Sequence, residues 1–489
     1  MNDFAYDIGI IGGGAAGLTI ASGAAQLGAK TILIEKEGVL GGDCLHFGCV
    51  PSKTLIKSAH VYHMMKTSGS FGLPEIDLPP IEFSRIAKRI KDVIAVIQRH
   101  DSEERFCSLG AKVVFGNPFF EDEHAVNLDG QLISAKKWVI ATGSSPAVPP
   151  IPGLDETDYI TNREIFSLDH LPESMTILGA GPIGIEMAQA FNRLGTTVNV
   201  VDMGGQILGK EDRDMADAVK ANMEKEGVNF FLESAIQEVS GIGMEKAVTI
   251  RGNDMQLKVL KSEAVLVSMG RKPNINDLGL NDIGVSYDRF GIKVDNRLRS
   301  SVKHIFAAGD VSGGYQFTHA AGYEGGIVVS NAVFRLPRKV DYSFIPWCTY
   351  VDPELASIGM NEKTAAEKGL EYTVWTETFR ENDRSLAEGE TKGKIKLILD
   401  KKEKPLGIQI LGQRAGDLIG EWVAALNGNV KLSTLASAIH PYPTLGEINK
   451  RVTGAVFSPK IFSPKVKKGL KFFFNLKGRA CSPETCEGP

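Results

Sequence analysis

The chain has 489 residues and a net charge of −4, because 59 aspartates and glutamates face 55 lysines and arginines. This balance argues against a basic nucleic-acid binder and against an acidic disordered chain. With 43% hydrophobic residues and no apolar run of the about 20 residues that span a bilayer, the sequence predicts a globular, soluble, cytoplasmic protein. Its 53 glycines predict tight turns and loops where backbone approaches a ligand.

The first forty residues predict a strand, a glycine-rich turn, a helix and a second strand. Gly12, Gly14 and Gly17 form a G-x-G-x-x-G pattern after the first strand, and Glu35 ends the second strand. In dinucleotide sites the first glycine permits the tight turn, the second lets backbone reach a pyrophosphate, and the third allows close packing. The acid then binds a ribose hydroxyl. The segment therefore predicts a dinucleotide site.

A pair of cysteines with four residues between them follows this unit. Cys44 and Cys49 can form a disulfide once the flanking glycines let the chain fold back. Cys49 stands just before Pro51, which suits the first turn of a helix, and a helix N-terminus lowers the pKa of a thiol. Two buried cysteines, or half of a zinc site with two further ligands, are the alternatives. Cys107 and Cys348 are predicted to be small buried side chains.

The strand–turn–helix–strand unit repeats near residue 175. Gly179, Gly181 and Gly184 reproduce the glycine spacing, and Asp202 ends the following strand. A carboxylate there accepts hydrogen bonds from a ribose and repels a 2′-phosphate. Because residues 203–209 contain no arginine to receive that phosphate, the sequence predicts NADH in preference to NADPH.

Breaks in the pattern divide the chain. Residues 144–153 are proline-rich and cannot continue a helix or a central strand, and residues 270–274 form a second break. Beyond residue 337, alternating strands precede an apolar helix. The sequence thus predicts an α/β protein with two Rossmann-like dinucleotide-binding domains and a C-terminal α+β domain.

Four motifs make the chain resemble the class I pyridine nucleotide–disulfide oxidoreductases. They are GGDCLHFGCVPSK, ATGS, GAGPIGIE and FAAGD. The resemblance runs to HPYPTLGE and implies FAD at the first glycine turn, a nicotinamide nucleotide at the second, and a homodimer. The implied domains are an FAD domain (1–150 and 271–340), an NAD(P) domain (151–270), a dimerisation domain (341–462) and a basic C-terminal segment (463–489).

The resemblance also implies roles for individual residues. Cys49 would be the thiolate beside the flavin and Cys44 the thiol that meets the substrate. Lys53 and Glu186 would pair near the reacting edge of the flavin, where a cation stabilises its reduced form. The residues implied to hold FAD outside the glycine turn are Gly143 and Asp310.

One position departs from the disulfide reductases of this class. They carry a histidine five residues before a glutamate, but Tyr442 stands five before Glu447 here. A phenol with a pKa near 10 is a poor proton shuttle at neutral pH, and His440 could replace it by sharing a face with Tyr442. Mercuric reductases resemble the chain in having tyrosine at this place.

The sequence therefore predicts an FAD-dependent NAD(P)H oxidoreductase that passes electrons to a Cys44–Cys49 disulfide and on to a metal or disulfide acceptor, in the manner of mercuric reductase. A dihydrolipoamide dehydrogenase is the alternative within the family. A non-catalytic flavoprotein that senses redox state through its cysteines is the alternative of another class.

The C-terminal segment carries two further hypotheses. Residues 464–479 combine six cations with apolar side chains, a mixture that suits its own dimer or an anionic membrane surface. A helix packed on the dimerisation domain with a solvated basic face is the alternative. Cys481 and Cys486 are predicted to form a second redox pair or a transient relay for soft metals, with an inert tail as the alternative.

Overall fold

The computed structural model describes residues 4–243 and 245–480. The chain forms two compact units. The first holds the residues up to 345 together with 349–352, and the second holds 346–348 and the residues from 353 onward. Within the described ranges, no helix is both long and apolar enough to cross a bilayer.

A five-stranded parallel sheet forms the first core. Its strands are, in spatial order, Ile305–Ala307, Trp138–Ile140, Ile8–Ile11, Thr31–Glu35 and Ala111–Phe115. The inner strands are buried along their whole length because a parallel sheet is covered on both faces. The helices Ala15–Gln26 and Thr318–Ala332 pack together beside it. Gly325 permits this close approach, since a Cβ there would lie 2.9 Å from the Thr19 side chain.

A second parallel sheet lies between these strands in the sequence. Its four strands are Asn229–Phe231, Thr197–Val201, Ser174–Leu178 and Ala264–Val267. The helices of this region are Pro182–Leu194 and Arg213–Lys225. A three-stranded antiparallel sheet, Ala235–Ile242, Glu245–Arg251 and Leu257–Ser262, shares an apolar cluster with the parallel strands. The prediction of two parallel dinucleotide-type sheets is confirmed.

Smaller elements complete the first unit. Its remaining α-helices are Gly42–His46, Cys49–Lys66, Phe83–Gln98 and Glu103–Ser108. Its 3₁₀ turns are Ser68–Phe71, Arg99–Asp101 and Asp310–Ser312. Its antiparallel strands are Pro118–Phe120, Ala125–Leu128 and Gln131–Ser134, then Ser144–Pro146 with Arg271–Pro273, and Tyr287–Asp288 with Gly291–Ile292. The pairing of Ser144–Pro146 with Arg271–Pro273 joins the two breaks predicted from the sequence.

The second unit is built on a five-stranded sheet. The spatial order is Pro346–Thr349, Glu354–Gly359, Pro405–Gly412, Lys394–Asp400 and Tyr372–Thr378. Its helices are Glu362–Glu367, Asp383–Glu388, Ala415–Asn427, Leu432–Ser437, Glu447–Ile461 and Pro464–Phe474, with a 3₁₀ turn at Phe379–Glu381. This mixed α and β composition is the one predicted for the C-terminal part.

The last described helix, Pro464–Phe474, was expected under one hypothesis from the sequence to pack on the dimerisation domain. The structure shows a helix that does not pack in this way. None of its residues is buried among the described residues. Phe473 and Phe474 remain 79% and 70% exposed. The hypothesis of a helix whose apolar side packs on its own domain is therefore wrong for the chain as described.

Candidate active site

The first glycine turn has the geometry that a bound dinucleotide requires. Gly12 has φ +109°, and a Cβ there would lie 2.3 Å from the Ala141 carbonyl oxygen. A Cβ on Gly17 would lie 1.8 Å from the Gly12 carbonyl, so only glycine lets helix and strand approach this closely. Gly14 faces open space, with its nearest neighbour, the Gly42 Cα, 3.9 Å from a Cβ position. Backbone at Gly14 can therefore approach a pyrophosphate.

The second glycine turn repeats these features. Gly179 has φ +106° and would place a Cβ 2.6 Å from the Ser268 carbonyl oxygen. A Cβ on Gly184 would lie 2.1 Å from the Gly179 carbonyl, whereas Gly181 has nothing within 4 Å. Two turns of one chain thus have a strained first glycine, an open middle glycine and a closely packed third.

The acids at the strand ends contact the same backbone position in both turns. Glu35 accepts a hydrogen bond from the Gly13 N–H at 2.6 Å, and Asp202 accepts one from the Ala180 N–H at 2.7 Å. The other oxygen of Asp202 accepts from the Gly204 N–H at 2.6 Å. Each carboxylate is thereby fixed beside its glycine turn, where an adenosine ribose would lie. The residues present fit two dinucleotides.

The loop around Asp310 lies close to the cysteine segment through one arginine. Arg271 makes an ion pair with Asp43 at 3.0 Å and lies 3.8 Å from Asp310. Ser144 donates its hydroxyl hydrogen bond to Asp310, and burial raises the pKa of that carboxyl. Gly143, with φ +68°, has no atom near its Cβ position. The structure thus joins Asp310 to Ser144, the residue that follows Gly143.

Arg271 and a second residue, Glu324, were missed by the sequence analysis. Glu324 is buried in the helix Thr318–Ala332 and accepts a hydrogen bond from the Gly309 N–H at 2.7 Å. Burial raises its pKa, and the Tyr342 hydroxyl also donates to it. An acid within an apolar helix was the available signal for Glu324. Arg271 stood within a segment that was interpreted only as a domain break.

The cysteine segment packs directly on the first glycine turn. The Gly41 N–H donates to the Gly13 carbonyl at 2.9 Å, and a Cβ on Gly42 would lie 2.7 Å from the Gly14 Cα. Both Gly41 and Gly42 have positive φ. Two glycines in sequence therefore let the chain reverse and hold the cysteines against the predicted FAD turn.

The two cysteines have very different proton affinities. Cys49 is the first residue of the helix Cys49–Lys66, as predicted, and both sulfurs are free thiols in this structure. The hydrogen bond from Cys44, the hydroxyl of Thr318 at 3.5 Å and the charge of Lys53 lower the pKa of Cys49 to about 6. The pKa of Cys44 is strongly raised, because its proton is shared with Cys49 and the side chain is largely desolvated. Cys49 is thus the thiolate and Cys44 its hydrogen-bond donor.

The predicted ion pair of Lys53 and Glu186 is present. Their side chains approach to 2.8 Å, with Glu186 buried in the helix Pro182–Leu194. The other oxygen of Glu186 accepts the Tyr350 N–H at 2.8 Å, and the Lys53 ammonium lies 4.4 Å from the centre of the Tyr350 ring. Tyr350, which sequence analysis missed, therefore contacts both members of the pair.

A buried network holds the Tyr350 segment in place. Arg193 binds Asp352 at 2.7 Å and Glu226 at 2.8 Å, and His60 approaches Asp352 at 3.1 Å. Burial by itself would raise the pKa of Asp352, but His60 and Arg193 lower it well below its usual range. Gln189 exchanges two hydrogen bonds with the backbone of Asp352. Residues 349–352 are thereby fixed on the helix that carries Glu186.

Tyr442 and Glu447 lie in the second unit, where Tyr442 is 71% exposed. The Tyr442 hydroxyl donates to Asp383 at 2.8 Å, which raises the pKa of the phenol. Glu447 begins the helix Glu447–Ile461 and accepts a long hydrogen bond from the Thr444 N–H. The hydrogen bond of the Tyr442 hydroxyl therefore goes to Asp383 rather than to Glu447.

The hypothesis that His440 shares a face with Tyr442 is wrong. The His440 side chain is only 13% exposed and binds Glu421 at 3.0 Å. Its Nδ1 is buried without a hydrogen-bond partner among the described residues. His440 is thus mostly buried and paired with Glu421, whereas Tyr442 is exposed and paired with Asp383.

The remaining cysteines are only partly described. Cys107 is exposed, so its predicted burial is wrong; on the short helix Glu103–Ser108 it is Phe106 that points inward. Cys348 is half-buried. Cys481 and Cys486 lie outside the described residues. Within residues 4–243 and 245–480, no cluster of three or more potential metal ligands includes Cys44 or Cys49, so the zinc alternative finds no further ligands there.

Comparison with known proteins agrees with this geometry. The family model described as pyridine nucleotide-disulphide oxidoreductase matches residues 6–325, and its dimerisation domain matches 345–452. The mercuric reductase of Bacillus cereus is 33% identical over 91% of this chain and 71% of its own. The dihydrolipoyl dehydrogenase of Geobacillus stearothermophilus is 34% identical over 92% of this chain and 96% of its own. The Cu(II) complex of the HOCl-induced flavoprotein disulfide reductase RclA from Escherichia coli has a TM-score of 0.83 and 27% identity, over 93% of this chain and 100% of its own.

Two glycine turns for dinucleotides and a thiolate–thiol pair on one of them define a flavin-dependent disulfide oxidoreductase. The chain belongs to the pyridine nucleotide-disulphide oxidoreductase family. It is an FAD-dependent enzyme that uses a nicotinamide nucleotide and a redox-active disulfide, and it has the dimerisation domain of a homodimer.

The low pKa of Cys49 gives a direct prediction. Alkylation of Cys49 in the reduced protein should accelerate as pH rises through about 6 and then level off, because the thiolate is the reacting form. Thr318→Val removes the hydroxyl that stabilises the thiolate and should move the midpoint upward by roughly half to one pH unit. Peptide-level mass spectrometry separates Cys49 from the exposed Cys107. Thr318→Ser retains a hydroxyl and should behave as the unmodified protein; equal midpoints for the valine and serine variants would contradict the assignment.

Proposed function

We propose that the enzyme passes two electrons from reduced nicotinamide nucleotide to the Cys44–Cys49 pair and from there to a soft metal ion. The observation that carries the choice of acceptor is Tyr442. Its hydroxyl donates to Asp383 and its pKa is raised, so the phenol keeps its proton at neutral pH. Reducing a disulfide to two thiols consumes two protons, whereas a metal ion held by thiolates accepts electrons without taking a proton.

The chain's own residues suit this chemistry. When bound at the first glycine turn, FAD supplies two-electron transfer between nicotinamide and sulfur. The Lys53 ammonium, oriented by Glu186 and the Tyr350 ring, places a positive charge near Cys49. That charge favours the thiolate over the thiol.

Cys44 is proposed as the sulfur that first meets the acceptor. In the reduced state it holds the proton and donates to Cys49. A soft metal ion displaces that proton, because thiolates are the preferred ligands of such ions. The two sulfurs then give two ligands. Oxidation of the two thiolates to the Cys44–Cys49 disulfide releases two electrons, which reduce one Hg(II) ion to Hg(0) or two Cu(II) ions to Cu(I).

The similarities support this class of acceptor without selecting one ion. Mercuric reductases from three bacteria are 32–33% identical to the chain, and the similar RclA structure is a Cu(II) complex. Dihydrolipoyl dehydrogenases reach 34% identity. Dihydrolipoamide dehydrogenase activity is therefore the second candidate, which the acceptor comparison below tests.

Further parts of the proposal concern domains, nucleotide and location. We assign FAD to residues 1–150 and 271–340, the nicotinamide nucleotide to 151–270, and dimerisation to 341–462. NADH is proposed over NADPH because Asp202 sits where a 2′-phosphate would come. A cytoplasmic location and a weak contact between the basic C-terminal segment and a membrane surface complete the proposal.

The acceptor is tested with purified holoenzyme and NADH. Hg(II) and Cu(II) should support turnover, whereas lipoamide and small disulfides should support much less. Cys44→Ser or Cys49→Ser should retain FAD and lose metal-dependent turnover by at least about 10²-fold, while Cys107→Ser serves as the matched control. Lipoamide turnover above metal turnover would instead favour the dehydrogenase.

The role of Tyr442 in excluding disulfide substrates is tested by placing a histidine base at this position. Tyr442→His should raise lipoamide reductase activity by about 10²-fold, the usual size of a general acid–base effect, and leave Hg(II) turnover within a few-fold. Tyr442→Phe removes the hydroxyl without adding a base and should give no gain. If both variants remain inactive with lipoamide, the shape of the site rather than its proton chemistry excludes dithiols.

The nucleotide preference follows from Asp202. The unmodified enzyme should have the higher kcat/KM with NADH, and Asp202→Ala should narrow the NADH/NADPH ratio by about tenfold, a change of about 1.4 kcal/mol. Asp202→Glu retains the charge and should retain the preference. A higher kcat/KM for NADPH in the unmodified enzyme would contradict the assigned role.

A further inference from the structure

The residues at its two ends define where the helix Pro464–Phe474 begins and ends. The Ser463 hydroxyl accepts a hydrogen bond from the Val466 N–H, a proline occupies the first turn, and Asn475 ends the helix with φ 50°. None of its residues is buried among the described residues. An 11-residue helix is marginal in water without tertiary contacts, so a surface that covered this segment would stabilise it.

Most of the apolar residues of this helix lie on one side. Val466, Leu470, Phe473 and Phe474 follow the spacing i, i+4, i+7, i+8 that places side chains on one side of a helix, and all four are exposed. By the same rule Lys467 and Lys471 border this side, since they stand three residues before Leu470 and Phe474, and Lys468 lies opposite it together with the exposed Phe472. The segment is thus a helix with an uncovered apolar side that lysines border.

The charge pattern indicates what covers the apolar face. Residues 464–479 contain six lysines and arginines and no aspartate or glutamate, although the whole chain carries a net charge of −4. An anionic surface therefore attracts this segment while it repels the protein's overall charge. The apolar groove of a protein partner would leave these cations without opposite charge, whereas an anionic bilayer interface matches the apolar side and the cations around it together.

The length of the helix fixes how it can bind. At about 1.5 Å per residue it measures roughly 16 Å, too short for the about 30 Å hydrocarbon core. It must therefore lie in the plane of the interface, with its apolar face toward the acyl chains and its lysines among the headgroups. It also lies beyond residue 452, where the match to the family's dimerisation domain ends, so that domain does not require it.

We propose that residues 464–474 form an in-plane anchor that docks the enzyme on membranes rich in anionic lipid. Val466, Leu470, Phe473 and Phe474 insert below the headgroups, and the lysines bind the lipid phosphates. This inference deepens the membrane contact proposed above and does not depend on which acceptor the enzyme uses.

Vesicle sedimentation of the full-length holoenzyme tests the anchor. The protein should sediment with phosphatidylglycerol–phosphatidylcholine vesicles at low salt and remain in the supernatant with pure phosphatidylcholine. Lys467→Gln with Lys471→Gln should weaken binding about 30-fold, as two cations near an anionic surface imply, and about 1 M salt, which shortens the Debye length to about 3 Å, should act in the same direction. Phe473→Ser with Phe474→Ser should weaken binding by at least about tenfold.

Matched controls keep the result specific. Lys401→Gln with Lys402→Gln removes the same charge from an exposed turn of the second unit and should leave binding unchanged. Flavin absorbance and metal-dependent turnover without vesicles should be normal in every variant, which separates failure of the anchor from failure of the redox proposal. Absence of the unmodified protein from the vesicle pellet at low salt would overturn the proposal. So would dissociation of the dimer in the phenylalanine variant, because the face would then belong to a second copy of the chain.

Discussion

The buried carboxylate of Glu186 is the contact on which the arrangement of the redox centre depends. It lies on a helix of the second dinucleotide region, yet it binds Lys53 of the cysteine helix and the Tyr350 N–H of a distant segment. A buried carboxylate is costly unless it is paired and hydrogen-bonded, so all three elements must assemble together. Arg193, further along the same helix, fixes Asp352 and thereby Tyr350. The charge beside Cys49 is consequently set by residues far apart in the sequence.

The two sulfurs gain opposite properties from this setting and from the backbone. Cys49 begins a helix, accepts from Cys44 and Thr318, and faces Lys53, all of which favour its anion. Cys44 lies on the preceding short helix and keeps the proton. A pair that shares one proton in this way keeps one sulfur as a thiolate and the other as a thiol. Tyr442, fixed on Asp383, adds no second proton acceptor of the kind that histidine provides in disulfide reductases.

Local patterns were sufficient to predict the geometry of the two glycine turns. In both G-x-G-x-x-G turns the first glycine has a positive φ, the middle one has open space and the third is closely packed. The acid that ends the following strand contacts each turn. The pairing of Lys53 with Glu186 came from resemblance to a family, since nothing near either residue in the sequence indicates the other. His440 and Cys107 were predicted wrongly, because the direction of a side chain on a short irregular segment depends on which neighbour packs there.

The sequence by itself determined the two glycine turns, the helix that begins at Cys49 and the departure at Tyr442, because each is encoded within a short run of consecutive residues. Only the tertiary structure decided that Arg271 lies between Asp43 and Asp310, that Glu324 binds the Gly309 N–H, and that Tyr350 contacts both Lys53 and Glu186. It also decided that the last described helix leaves its apolar face uncovered. Most of these contacts join residues that are far apart along the chain, and burial and charge pairing act through space, so no local pattern in the sequence records them.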